Sequence, residues 1–258
     1  TNITFVDSGI VTFDNTPTID GDLYINALVD GTVGGALNIT AGGAVTQNDA
    51  ILVGGATTVS AATFAVTLTN GANNFTGAVG VTGANVALTD TDSIVLGASS
   101  VSGTYDVIAT TGGITQTGTI LITTASASTF MAAGGQDIIL DNISNDFGGT
   151  VGFSSGGTLD DVTIVDVSVI DLATLNIGGN LSVTGAGITQ TGGTLTVVGT
   201  STFAAGATND ITLAQANDFG GAVSVTTAND VSVTDINAIV LGAMSLSNTG
   251  NLSVTATA

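Results

Sequence analysis

Apolar residues alternate with Ser or Thr over short runs along this chain. Asp210-Ile211-Thr212-Leu213-Ala214, Ala222-Val223-Ser224-Val225-Thr226, Asp230-Val231-Ser232-Val233-Thr234 and Asn251-Leu252-Ser253-Val254-Thr255 all follow the pattern. A period of two puts every second side chain on one face of an extended backbone, so each run predicts a half-buried β-strand of four to six residues. Asn, Asp or Gly bounds each run, and these residues tolerate the tight or left-handed backbone of turns. Runs of this kind recur about every eight positions. The single proline, Pro17, interrupts none of them.

A longer period lies over the short one. Val45-Thr46-Gln47, Ile114-Thr115-Gln116-Thr117-Gly118 and Ile188-Thr189-Gln190-Thr191-Gly192 open three related blocks, 69 and 74 residues apart. Asn73-Asn74-Phe75, Asn145-Asp146-Phe147 and Asn217-Asp218-Phe219 repeat at intervals of 72 and 72. Thr63-Phe64, Thr129-Phe130 and Thr202-Phe203 form a third marker, and Asp92-Ser93-Ile94-Val95-Leu96-Gly97-Ala98 returns as Asn237-Ala238-Ile239-Val240-Leu241-Gly242-Ala243. Asn2-Ile3-Thr4-Phe5 lies about where one more Phe marker should fall. These marks divide a single continuous array, 1–258, into a diverged partial repeat, 1–44, and three repeats, 45–113, 114–187 and 188–258.

Strands at that spacing give nine per block, which divides into three coils of about 24 residues with three sides each. Stacked coils place like residues on like, so Val, Ile, Leu and Ala form internal ladders while each backbone bonds to the coils above and below. The expected fold is all-β, a right-handed parallel β-helix of about eleven coils forming a rod of roughly 50 Å. The competing architecture is a string of β-sandwich domains, one per block. Two Tyr, nine Phe and no Trp or Cys leave such sandwiches little large aromatic volume and no disulfide.

The phrases Ile188-Thr189-Gln190-Thr191-Gly192-Gly193, Asn217-Asp218-Phe219-Gly220-Gly221-Ala222-Val223-Ser224-Val225 and Gly250-Asn251-Leu252-Ser253-Val254-Thr255-Ala256 resemble the repeat regions of giant bacterial surface proteins. The likeness is to the filamentous-haemagglutinin and autotransporter-adhesin kind, and it covers essentially the whole chain. It implies a β-helical shaft outside the cell, serving as a structural fibre, stalk or sheath. An adhesin shaft that recognises glycans or a partner protein is the alternative it also implies.

Composition narrows the chemistry. There is no Lys, Arg or His, and the 20 acidic residues, all Asp, give a net charge of −20. Without side-chain cations the chain cannot neutralise phosphates, so nucleic acid is not an expected partner. General-base chemistry by His, Schiff-base chemistry by Lys and thiol chemistry by Cys are excluded, and no enzyme is expected. Trypsin-type proteases find no cleavage site. Hydrophobic residues make up 43%, enough for a core, and no apolar run approaches a membrane span. A start at Thr1, with no Met and no basic leader, suggests a processed protein or a segment of a longer one.

The aspartates are the remaining candidates. Asp90 and Asp92 sit two apart, and Asp160 and Asp161 are adjacent, with Asp166 close behind. Calcium takes oxygen ligands, so these four, Asp90, Asp92, Asp160 and Asp161, are candidate metal-stapled turns, with calcium as the possible ion and otherwise no cofactor. Solvated turn aspartates are the plainer explanation, because Asp is a preferred turn residue. Phe75, Phe147 and Phe219 would be carbohydrate platforms if exposed and core anchors if buried. Six Asn-x-Ser/Thr triplets, including those at Asn180 and Asn251, follow from strands that begin after an Asn. An open coil end would offer unpaired strand groups, which predicts self-association into a head-to-tail filament.

Overall fold

A computed structural model of the chain describes residues 32–257 together with the strands Asn2–Ile3 and Leu23–Ile25. The Phe5 marker, Pro17 and most of the 1–44 segment lie outside the described residues. Within them every element is a β-strand, and the strands pair in parallel as a β-solenoid of about ten turns. Tandem sandwiches, which need antiparallel neighbours, do not form. Val45, Val66, Val86, Tyr105, Ser128, Val151 and Leu172 stand one above the next along one side of the rod. All seven are buried.

Alternation along each strand produces this core directly. Tyr105–Ala109 and Ser128–Ala132 bury every second residue, and so do Val79–Gly83 and Val231–Asp235. The volume that small aliphatic residues leave unfilled in the middle of the rod is taken by aromatic rings. Phe130 meets Tyr105 and Phe147 edge-on at centroid distances of 5.9 and 6.1 Å, and stacks on Phe153 at 6.0 Å. Such pairs add on the order of 1 kcal/mol beyond area burial. Of the Thr-Phe markers, Phe130 and Phe203 lie in this core, but Phe64 is 45% exposed in a turn beside Ala62, whose φ is 49°.

Two expectations about the coil need correction. Vertical neighbours are 17 residues apart at Val79 and Leu96 and 25 apart at Leu121 and Asp146, so coils are unequal and mostly shorter than 24. A block holds ten strands, not nine: Val45–Gln47, Ile114–Gln116 and Ile188–Thr189 are the fifth, fifteenth and twenty-fifth strands in chain order. The strands of two residues, such as Asn74–Phe75 and Asp146–Phe147, are too short to display a period. Ten strands on a three-sided coil make three and a third turns, so each block starts one side further round the rod.

The extra third of a turn has a visible origin. Asn74–Phe75 is the last member of a three-stranded sheet with Thr32–Val33 and Leu52–Val53, and no strand lies over it. The strand that follows, Val79–Gly83, bends to serve two sides: Val79 pairs with Leu96, whereas Thr82 and Gly83 pair with Ser100 and Val101. One side ends and another begins. Asp146–Phe147 likewise ends its path, and Thr150–Ser155 is the divided strand after it, pairing with Ile170–Leu172 before Leu159 bridges to Ile177.

Glycine is required where corners pass closest. A Cβ on Gly77 would fall inside the radius of the Gly55 carbonyl oxygen, and one on Gly221 inside that of Gly199. The two ladders, Gly35-Gly55-Gly77 and Gly179-Gly199-Gly221, occupy equivalent corners two blocks apart.

Candidate functional site: a repeated Gln-Asn-Asp corner

Each sheet end coincides with a buried polar constellation drawn from three successive coils. Gln47, Asn73 and Asp90 form the first, Gln116, Asn145 and Asp166 the second, and Gln190, Asn217 and Asp235 the third. The two amides face each other: Gln47 Nε2 donates to Asn73 Oδ1 at 2.7 Å, and Asn73 Nδ2 donates back to Gln47 Oε1 at 2.9 Å. The reciprocal pair recurs at 2.9 and 2.9 Å in the second corner and 2.7 and 3.2 Å in the third.

The Asn amide stands in for a peptide unit where the ladder has a gap. Its Oδ1 accepts the backbone N–H of Ile51, Ile120 or Leu195, at 2.9 Å in every copy. Its Nδ2 also donates to the carbonyl of Leu68, Leu140 or Leu213, at 3.2 Å in every copy. Asn73, Asn145 and Asn217 are fully buried, and a buried amide left unpaired would cost about 1–3 kcal/mol. Asn suits this position because it carries both a donor and an acceptor.

The Asp closes the sheet end from above. Phe75, Phe147 and Phe219 would have free backbone N–H groups where no strand follows, and the carboxylates of Asp90, Asp166 and Asp235 accept them at 2.9, 3.2 and 2.9 Å. The second oxygen of each accepts the N–H two residues on, from Asp92, Ser168 or Asn237. The carbonyl of the Asn bonds to the residue after the Asp, Thr91, Val167 or Ile236. A side chain thereby replaces the strand that is missing.

Charge is strained here because no cation is present. Burial pushes the Asp90 carboxyl up to about 6, aided by the nearby Asp92 charge and opposed by the two backbone N–H groups. Asp166 is also raised, chiefly by burial, against the N–H and hydroxyl of Ser168 and the N–H of Phe147. Asp171 moves the other way: partial burial raises it, but donors from Thr191, Thr150 and Thr189 together outweigh that and hold it below the usual range. The corner can bind and release a proton. It holds no nucleophile and no route to solvent.

The four candidate ligands are not brought together. Asp90 faces inward, while Asp92 is exposed and accepts Asn74 Nδ2 at 3.2 Å. Asp161 Oδ1 accepts the N–H and side-chain amide of Asn180, and the exposed Asp160 uses its own N–H on the Gln136 carbonyl. Among the described residues no three carboxylates gather as a metal cluster. Asp161 belongs instead to an external ladder, from Asp137 through Asp161 and Asn180 to Thr200, in which each side-chain oxygen accepts the next corner's N–H. Asp210, Asp230 and Asn251 repeat it. The Asn and Asp that bound the strands are thus links between coils, and the Phe markers are buried anchors.

The comparisons with known proteins follow the same period. A family model described as "Repeats of unknown function (DUF5649)" matches residues 4–82, 83–154 and 159–226. The chain belongs to this family. No curated protein and no solved structure matched the chain. Placed on the DUF5649 segments, the corners are shared: residues 4–82 supply Gln47 and Asn73, but Asp90 comes from the next segment. Residues 83–154 supply Gln116 and Asn145, and Asp166 again comes from the segment after. Asp235, which closes the third corner, lies beyond the third match. Each DUF5649 repeat is therefore completed by its successor. Gln and Asn, key members of the corner, were visible in the sequence only as repeat markers, and their fixed order with Asp was the signal for an interlocked unit.

Proposed function

We propose that this protein is an extracellular structural element, a stiff acidic β-fibre, stalk or sheath on a bacterial surface. The observation that carries the reading is that the buried polar chemistry of the chain serves its architecture: three Gln-Asn-Asp corners join successive coils and satisfy the backbone at the sheet ends. A parallel ladder of about ten turns resists bending because every turn is bonded to two others. The net charge of −20, with no cation to offset it, keeps neighbouring rods apart and soluble. Divalent cations act in this reading as counter-ions between rods. Catalysis and nucleic-acid binding are no part of it, since the side chains they need are missing.

The finer likeness, to shafts of the filamentous-haemagglutinin and autotransporter-adhesin kind, is in keeping with a mechanical role. Immunogold electron microscopy of the source cells, with antibody to this chain, tests the proposal. Label along thin fibres outside the envelope is expected. Label confined to the cell interior would overturn it.

A further inference from the structure

The last described coil is built like an interior coil but lacks its cover. Val231 pairs with Leu252 as Val86 pairs with Tyr105, and Ile239-Val240-Leu241-Gly242-Ala243 repeats Ile94-Val95-Leu96-Gly97-Ala98. Leu96 and Tyr105 are 0% exposed, whereas Leu241 and Leu252 are 42% and 43% exposed. Val240–Leu246 and Leu252–Ala256 pair only with the coil beneath them, so an apolar face and a row of edge backbone groups lie open together.

The interior of the same chain specifies what fits there. Over Ile94–Leu96 lies Ile114-Thr115-Gln116, residue on residue, and over Tyr105–Ile108 lies Ser128–Met131. The open face also falls between polar corners: Asp235 is already closed by the N–H groups of Phe219 and Asn237. An incoming block brings its own Gln, Asn and Asp and needs no buried polar partner from this face.

We propose that the face formed by residues 236–257 is a docking surface for one kind of occupant, a further repeat block stacked in parallel and entering through an Ile-Thr-Gln strand. The proposal deepens the fibre reading and rests on it for its biological setting. Its physical basis is the internal pairing of residues 94–109 with residues 114–131.

Hydrogen exchange on the full chain tests it. One form carries a copy of its own residues 114–187 after Ala258, a second carries 45–113, which enters through Val45-Thr46-Gln47, and a third carries 125–198, which enters out of phase. The first two are expected to slow exchange across 240–246 and 252–256 about tenfold or more relative to the unextended chain, and the third to leave it unchanged. Equal exchange in all four chains overturns the proposal, as does equal protection by the out-of-phase extension. Protected amides alongside a chain that imaging places inside cells would sink the fibre reading alone. Surface fibres with unprotected amides would sink the docking surface alone.

Discussion

Residues 86–109 and residues 231–256 are the same piece of architecture in two environments. Both begin on a strand ending in a corner Asp, turn, and stack a further strand on the first. In the former, Val86, Leu88, Ile94, Leu96, Tyr105 and Val107 vanish from solvent, and in the latter Val231 and Val233 are buried while Leu241 and Leu252 are not. A solenoid coil does not enclose its own core. Its inward side chains leave water only when the next coil is laid over them, so stability resides in the joints between coils. The contrast can be broken from the covered side and sharpened from the open one.

The largest effect is expected at the centre of the covered region. Phe130 is fully buried and touches Tyr105, Phe147 and Phe153, which come from the coils around it. Phe130→Ala should cost about 3–5 kcal/mol, since the rings around the gap are held by separate strands and collapse only partly. Urea unfolding followed by circular dichroism measures it. A loss under about 1 kcal/mol would mean that the coils repack freely and that the joints are not the source of stability.

Next come the polar corners. Asn145→Leu removes the acceptor for the Ile120 N–H and both amide contacts to Gln116, leaving buried groups unpaired. About 2–4 kcal/mol is expected, against the same readout. Asn145→Asp, nearly identical in shape, should also destabilise, because a carboxylate oxygen would then face the Leu140 carbonyl and Gln116 Oε1 in place of a donor. If Asn145→Asp is as stable as the parent at neutral pH, the reciprocal amide pair is not what holds the corner.

Much of the fold was legible before any coordinates. Alternation at Val231-Ser232-Val233 and the repeated Ile-Thr-Gln and Asn-Asp-Phe phrases gave strands, solenoid and period, because burial of every second residue and like-on-like stacking both write themselves into sequence. The tenth strand did not show, since the two residues Asp146 and Phe147 are extended by a neighbour's Asp carboxylate and not by a pattern of their own. Asp90 and Asp92 looked alike as an acidic pair. Their burial differs because the side chain at 90 fills a missing ladder position three-dimensionally adjacent to Phe75, a contact 15 residues away along the chain. Pairs such as Gln116 and Asn145, 29 residues apart, are set by coil length, which the chain does not state locally.

Proton binding at the corners is expected to be the third-largest effect. Asp90 is raised to about 6 in the folded chain, and Asp166 is raised as well, while an unfolded aspartate titrates near its ordinary value of about 3.9. Between those limits the folded state holds more protons than the unfolded one, so stability falls as pH rises from about 4 to about 6 and is greatest below that window. For Asp90 the change is on the order of 2 kcal/mol, and relief of repulsion among the 20 aspartates acts in the same direction. Asp171, held low by its threonine donors, opposes this weakly: its contribution is present above its unfolded value and is lost as pH falls through the folded one. Thermal midpoints from pH 4 to 7 check the sign. The double variant Asp90→Asn, Asp166→Asn should flatten the slope, and a slope of unchanged steepness would place the protons elsewhere.

The smallest effect is expected at the open face, where it separates the two regions most directly. Leu96→Ala deletes a side chain sealed between Val79 below and Gln116 above and should cost about 2–4 kcal/mol. Leu241→Ala deletes the equivalent side chain from a coil that nothing covers, and there water fills the space without creating a cavity. About 1 kcal/mol or less is expected from the contact with Val223 beneath it. Both variants carry the same chemical change on the same repeat position, so their difference isolates the overlying coil. Equal losses would mean that each coil is stabilised chiefly from below, and that an added block would gain little from the apolar face it covers.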